Sequence, residues 1–317
     1  MQYAPIALFT YNRPDKTQRV LESLMQNKEA KDSELFIFSD GPKNEKAFDE
    51  VKANREYLHS LKNSLNSKNS ESAAFKSITI IEREKNWGLA NSLISGITDV
   101  INKYGRVIVV EDDLILSPYF LKFMNDGLEK YKDEDKVSSI TAFVPDVKEE
   151  LPETYFLSFF HCWGWATWKR AWELLEKDPR PLLRKIKWKK NKFDVGGSFG
   201  NYGLLYLQKI GAIDSWYIRL YASFFIEDKL TLFPKKSLVT NEGQDGNGTH
   251  SKTEENSPFR VIYYDNPIEV NKIPIVEDIN TFKIFSKTLS RNNKKSLNTY
   301  YSSFKSVIRR ILDIDAK

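Results

Sequence analysis

Cysteine is almost missing from this chain. One thiol, Cys162, in 317 residues cannot close an intramolecular disulfide, which makes a reducing compartment the default. Long hydrophobic runs are missing too. The most apolar stretch, YFLSFFHCWGWATW at 155–168, is shorter than a bilayer span needs and contains His161, so no transmembrane helix is expected. The amino terminus, MQYAPIALFTYNRP, lacks a basic leader and reads as a first strand rather than a signal peptide. No helix-turn-helix, finger or aromatic ribonucleoprotein motif occurs, which argues against nucleic acid as a partner. Nor does charge of one sign dominate. The formal net charge of +5 is gathered in RKIKWKKNK (184–192) and KTLSRNNKKS (287–296). Either cluster suits phosphates or an anionic membrane surface, although a charge run is more often a solvated face.

What is present is a regular alternation. At this length the chain is one large α/β domain or two smaller ones. Strand-like PIALFT (5–10), ELFIFSDGP (34–42), SITIIERE (77–84) and RVIVV (106–110) alternate with three helix-like segments. The first carries Val20, Leu21, Leu24 and Met25 on one face; the second runs from about Glu45 to Leu65, and the third from Gly88 to Tyr104. Such a series predicts parallel βαβ units with helices on both faces. Ser117 reads as an N-cap, with Pro118 at the first helical position. Ligands of such sheets gather at the carboxyl ends of the strands. TYNRP (10–14), SDGP (39–42), EREKNWGLAN (82–91) and EDD (111–113) all fall there. The second half is less regular and more aromatic, and is expected to complete the same sheet. The divisions expected are 1–116, 117–279 and a basic amphipathic extension at 280–317.

Glu111, Asp112 and Asp113 close an apolar strand. Two unit charges about 4 Å apart repel by roughly 4 kcal/mol at an effective dielectric near 20, and a hard cation such as Mg²⁺ or Mn²⁺, which prefers oxygen ligands, would relieve that cost. An acidic loop that only caps the next helix is the bland alternative. Asp40 suits a base N–H or a ribose hydroxyl, or simply a turn. Asn86, Gly88 and Asn91 suit a base or diphosphate, or a helix start. His250, in a glycine-rich loop with Asp245, could ligate a metal or donate to a leaving diphosphate. Asp214 is a candidate general base or an N-cap. Trp163, Trp165, Trp168 and Trp172 are core candidates, one or two of which could stack on sugar.

Together, TYNRP after a first strand, an Asp after the second, NWGLANS, and EDD after the fourth resemble the GT-A-fold nucleotide-sugar glycosyltransferases. CWGWATWKRAW, DSW and TNEGQDGNGTH look like bacterial capsule or lipopolysaccharide enzymes. EDD with Asp-Ser-Trp is similar to the inverting N-acetylglucosaminyltransferase I branch. The resemblance spans roughly residues 3 to 251 and implies a GT-A-like, Rossmann-type mixed sheet, mostly parallel and flanked by helices. It implies Asp113 as the Mn²⁺ or Mg²⁺ ligand, with Asp112 facing ribose or donor sugar. Thr10, Asn12 and Arg13 would form the first nucleotide-binding loop, Asp40 would read the base, Asn86, Gly88 and Asn91 would support the nucleoside, and Asp214 would be the base. Glu111, where the usual pattern has Asp, is the departure. The expected reaction moves a sugar from a UDP-linked donor to a saccharide or lipid-linked acceptor, in the cytoplasm or at the inner membrane face. A sugar-1-phosphate nucleotidyltransferase and a non-catalytic nucleotide- or sugar-binding partner stay open. Tyr301, Phe304, Ile308 and Ile311 recur at helical spacing, so the tail could lie on a membrane, on its own domain or on a second subunit of a homodimer.

Overall fold

The alternation of short apolar runs and amphipathic segments builds a doubly covered sheet. The computed structural model describes residues 3–66, 74–243 and 257–290. Its first part runs β1 (Ile6–Thr10), α1 (Pro14–Met25), β2 (Glu34–Ser39), α2 (Phe48–Asn66), β3 (Ser77–Glu82), α3 (Leu89–Tyr104) and β4 (Arg106–Glu111). Next come β5 (Leu114–Leu116), α4 (Phe120–Lys130), β6 (Val137–Thr141), β7 (Thr154–Leu157), β8 (Trp165–Trp168), α5 (Lys169–Trp172), α6 (Pro179–Ile186), α7 (Lys190–Phe193), α8 (Asn201–Lys209), α9 (Trp216–Ile226), β9 (Leu230–Pro234), β10 (Val239–Asn241) and α10 (Ile279–Ser290).

Eight strands form one sheet in the order β3-β2-β1-β4-β8-β6-β9-β7, and β10 pairs with β5 in a separate ribbon. The β3-β2-β1-β4 run and the β6–β9 pair are parallel; β4–β8, β6–β8 and β7–β9 are antiparallel. The fold is therefore the mixed, mostly parallel α/β sheet of a GT-A-like molecule. Strand alternation sorts the side chains into two cores. Ala7, Phe9, Val107 and Val109 face one core with Leu93 and Ile97 of α3 and Leu220 and Phe224 of α9. Ile6, Leu8, Ile108 and Val110 face the other with Val20 and Leu24 of α1 and Phe120 and Met124 of α4. Both faces of the central strands are buried, which is why they read as unbroken apolar runs.

Several boundaries differ from the sequence expectation. The helix after the acidic triplet begins at Phe120 with Tyr119 as its cap residue, not at Pro118. Between them lies β5, whose register opposite β10 (Leu114↔Asn241, Leu116↔Val239) takes up the backbone groups a helix start would have used. Ser117 instead donates to the Tyr264 carbonyl at 2.8 Å and accepts from the Tyr119 N–H. A 3₁₀ turn, Glu45–Ala47, precedes α2. The cap of α9 is Ser215, whose hydroxyl accepts from the Ile218 N–H, rather than Asp214. Trp165, Trp168 and Trp172 are buried core residues, and Trp163 is partly buried. Asp245, His250 and most of the 280–317 extension lie outside the described residues.

Candidate active site

The parallel strands bring their carboxyl ends to one edge. At the end of β1 the Thr10 hydroxyl accepts from Asn54 Nδ2 at 3.1 Å, and the Asn12 amide donates to Glu50 at 2.5 Å. The Tyr11 N–H donates to Asp112 Oδ2 at 3.3 Å. Arg13 reaches across with both guanidinium arms, one bonding Asp112 and the other Asp113 Oδ2 at 3.3 Å. One cation thus faces three carboxylates. Burial, then repulsion from Asp113 and Asp112, raises Glu111 above the usual carboxylate range. Burial also raises Asp112, against the pull of Arg13. The β5–β10 ribbon closes over the triplet. Glu242 donates its N–H to the Asp113 carbonyl at 2.8 Å, while Lys16 and Arg19 hold Glu242. Gly243 lies so close that a Cβ there would sit 2.4 Å from Asp113 Oδ2.

The end of β2 is tied to the loop before α3. Asp40 is buried, and its carboxylate accepts from the N–H groups of Gly41 (3.0 Å), Trp87 (2.9 Å) and Gly88 (3.0 Å). Asn86 donates to the Gly41 carbonyl and Asn91 to the Trp87 carbonyl. Gly88 has φ 75° and ψ 155°, a conformation open in practice to glycine alone. Arg55 donates to the carbonyls of Ser39, Asp40 and Arg83 and so locks β2 to the same loop.

Asp214 lies in the loop just before α9. Its carboxylate is exposed and pairs with Arg219 Nη2 at 2.7 Å, and Arg219 also donates to the Ser215 carbonyl. Trp216 stacks on Trp165 with ring centroids 5.6 Å apart, and Trp165 pairs with Val109 of β4. These contacts seat the Asp214 loop beside the strand that carries the triplet. A groove of 530 Å³ runs from Trp87 and Asn91 past Ser95 and Asp99 to Lys177 and Arg219. It joins the loop fastened by Asp40 to the cation that holds Asp214.

The model of one glycosyltransferase family matches residues 1–189 of this sequence, that of the GNT-I family. The chain belongs to the GNT-I family. Its fold is GT-A-like. No curated protein matches it. Among the solved structures that resemble it are two of TarS from S. aureus. One aligns at 15% identity and a TM-score of 0.33 over 49% of this chain and 25% of TarS. The other, of TarS residues 1–349, aligns at 15% and 0.36 over 55% of this chain and 48% of that one. This chain therefore spans less than half of either, and similarity at this level fixes no residue correspondence.

In this GNT-I family chain the donor set at the edge suits a hard divalent cation. The oxygens are carboxylate, three acids face one guanidinium, and the Glu111 carboxylate has no hydrogen-bond or ion-pair partner among the described residues. No group of three or more His, Cys, Asp and Glu side chains forms a cage among those residues. One or two carboxylates with diphosphate and water is the arrangement such ions commonly take. The sequence reading missed Tyr11, Arg55, Glu242 and Gly243, whose contributions are made by backbone or by long-range contacts. It also missed Cys162 and Tyr217. Burial, with Glu111 and Asp113 nearby, raises the Cys162 thiol well above its usual range. The Tyr217 hydroxyl donates to the Phe160 carbonyl at 3.0 Å and braces the same wall.

Proposed function

We propose that this GNT-I family glycosyltransferase moves a sugar from a nucleotide-diphosphate donor, UDP-linked, to a saccharide or lipid-linked acceptor of a bacterial surface polysaccharide, with inversion at the anomeric carbon. The observation that carries this reading is the convergence of Arg13, Asp112 and Asp113 with the Asp40-fastened 86–91 segment on the carboxyl edge of the sheet. Thr10, Asn12 and Arg13 would border the nucleotide. Asp40 would hold Trp87 and Gly88 in the shape that receives the base, and Asn86 and Asn91 would fix that shape from either side. Asp113, with Asp112 beside it, would hold Mn²⁺ or Mg²⁺, which when bound acts as a Lewis acid toward the leaving diphosphate. His250 is a further candidate ligand.

On the acceptor side, Asp214 would take the proton of the attacking hydroxyl. The freed oxygen then forms its bond to the anomeric carbon from the face opposite the diphosphate, the bond to the diphosphate oxygen breaks, and the electron pair leaves with the nucleoside diphosphate. Arg219 would orient the Asp214 carboxylate for this. The tail beyond α10 would contact the inner membrane face or a second subunit. No described helix is long and apolar enough to cross a membrane.

A panel of nucleotide sugars offered with acceptor oligosaccharides tests the reading. The expected result is acceptor-dependent release of a nucleoside diphosphate, a product of inverted anomeric configuration by NMR, and at least about 100-fold slower turnover in Asp214→Asn. Release of pyrophosphate, or a product of retained configuration, would contradict it.

A further inference from the structure

The surface formed by α6, α7 and α8 plays no part in the site above. Arg184, Lys185, Lys187, Lys189, Lys190 and Lys192 place six cations in nine residues with no acid among them. Ion pairs tie down three of these: Lys185 to Glu227 (4.0 Å), Lys189 to Asp228 (3.3 Å) and Lys192 to Glu277 (2.7 Å). Arg184, Lys187 and Lys190 form none among the described residues.

Aromatic rings stand between the cations. Helix α6 turns Leu182, Leu183 and Ile186 into the core, yet Trp188, in the turn after it, is 87% exposed. Lys187 Nζ lies 4.9 Å from the Trp188 ring centre, Lys190 Nζ 5.2 Å from that of Tyr202, and Lys209 Nζ 5.5 Å from that of Tyr206. Tyr202 and Tyr206 are one turn apart on α8, and Tyr206 is 40% exposed.

We propose that this α6–α8 surface docks on an anionic phospholipid bilayer, with Trp188 inserted at headgroup depth and the lysines on lipid phosphates. The composition favours this occupant. Tryptophan and tyrosine concentrate at the membrane–water boundary, where one end of the ring is apolar and the other wet. Lysines near an anionic leaflet add attraction charge by charge. Protein–protein interfaces, by contrast, are depleted in lysine. A single nucleic-acid strand is normally held in a groove, and the grooves at Trp87–Arg219 and at Tyr3–Arg106 among the described residues are lined by none of these residues. Residues 210–213 lead from α8 directly to Asp214, so docking here would bring that loop to the bilayer surface. The surface stands on its own chemistry, independent of the reaction proposed above.

The test is co-sedimentation of the full chain with phosphatidylcholine vesicles, with or without phosphatidylglycerol. Wild type is compared with Trp188→Ala and with Lys187→Glu/Lys190→Glu, all replacements outside the core that should leave the melting temperature unchanged. Phosphatidylglycerol should raise the wild-type partition at least about tenfold, added salt should reverse this, and each variant should lose at least about fivefold. Tryptophan emission should shift to the blue on vesicles in wild type and not in Trp188→Ala. Equal partition of wild type and variants would overturn the proposal by placing any membrane contact elsewhere. So would binding to polyuridylate with none to vesicles.

Discussion

The Asp40 carboxylate accepts from three backbone N–H groups, so its position at the end of β2 shapes the 86–91 loop before any ligand is considered. Asp40→Asn would set an amide N–H against one of those donors, a loss of about 1–3 kcal/mol. Urea unfolding should show that loss, and nucleotide titration should show weaker binding. His161 gives a second expectation. It sits among Phe143, Trp163 and Phe259, and burial pushes its pKa down to about 3. Because the folded-state value is the lower one, the unfolded chain binds a proton that the folded chain refuses. This contribution to stability is whole above about pH 6.5 and is lost as pH falls toward the folded value. Between about pH 6.5 and about pH 5 the loss should approach about 2 kcal/mol, and His161→Gln should remove that part of the slope. The sequence shows Asp40, Asn86, Gly88 and Asn91 as loop residues at one crevice, because each follows an apolar strand or opens a helix. It does not show that Asp40 bonds the 86–91 backbone, since a contact between distant loops leaves no local pattern.

Longer elements carry the same lesson. The βαβ series is legible because buried parallel strands are continuous apolar runs and their helices have one apolar face. β5 and β10 are three residues each, too short for any period, and Ser117-Pro118 imitates a helix start. Their ribbon nonetheless brings Gly243 against Asp113. In Gly243→Ala the new methyl would meet the end of a flexible side chain, so the melting temperature should stay near wild type while turnover falls at least about tenfold as Asp113 is displaced. The Trp165–Trp216 stack joins α9 to β8. Trp216→Ala should cost about 3–5 kcal/mol and loosen the Asp214 loop, read as a lower denaturation midpoint and a raised acceptor KM. Trp165 is expected in the core from sequence; its pairing with Trp216 becomes visible only once β8 is placed beside β4.

Taken together, eight strands set the loops of β1, β2 and β4 on one edge and the Asp214 loop beside them, with a lysine- and tryptophan-bearing surface continuing from α8. The GT-A-like class was readable from the first 116 residues, whereas the order β8-β6-β9-β7 was not, because antiparallel strands inserted out of sequence depend on contacts between distant segments. The central claim is that the triplet after β4 receives the donor's diphosphate through a divalent ion held by Asp113. Calorimetric titration of UDP into wild type and Asp113→Ala, each with Mn²⁺ and with EDTA, tests it most directly. The account predicts Mn²⁺-dependent binding in wild type and a loss of at least about tenfold in Asp113→Ala, whose melting temperature stays unchanged. Equal UDP affinity in all four titrations would contradict it.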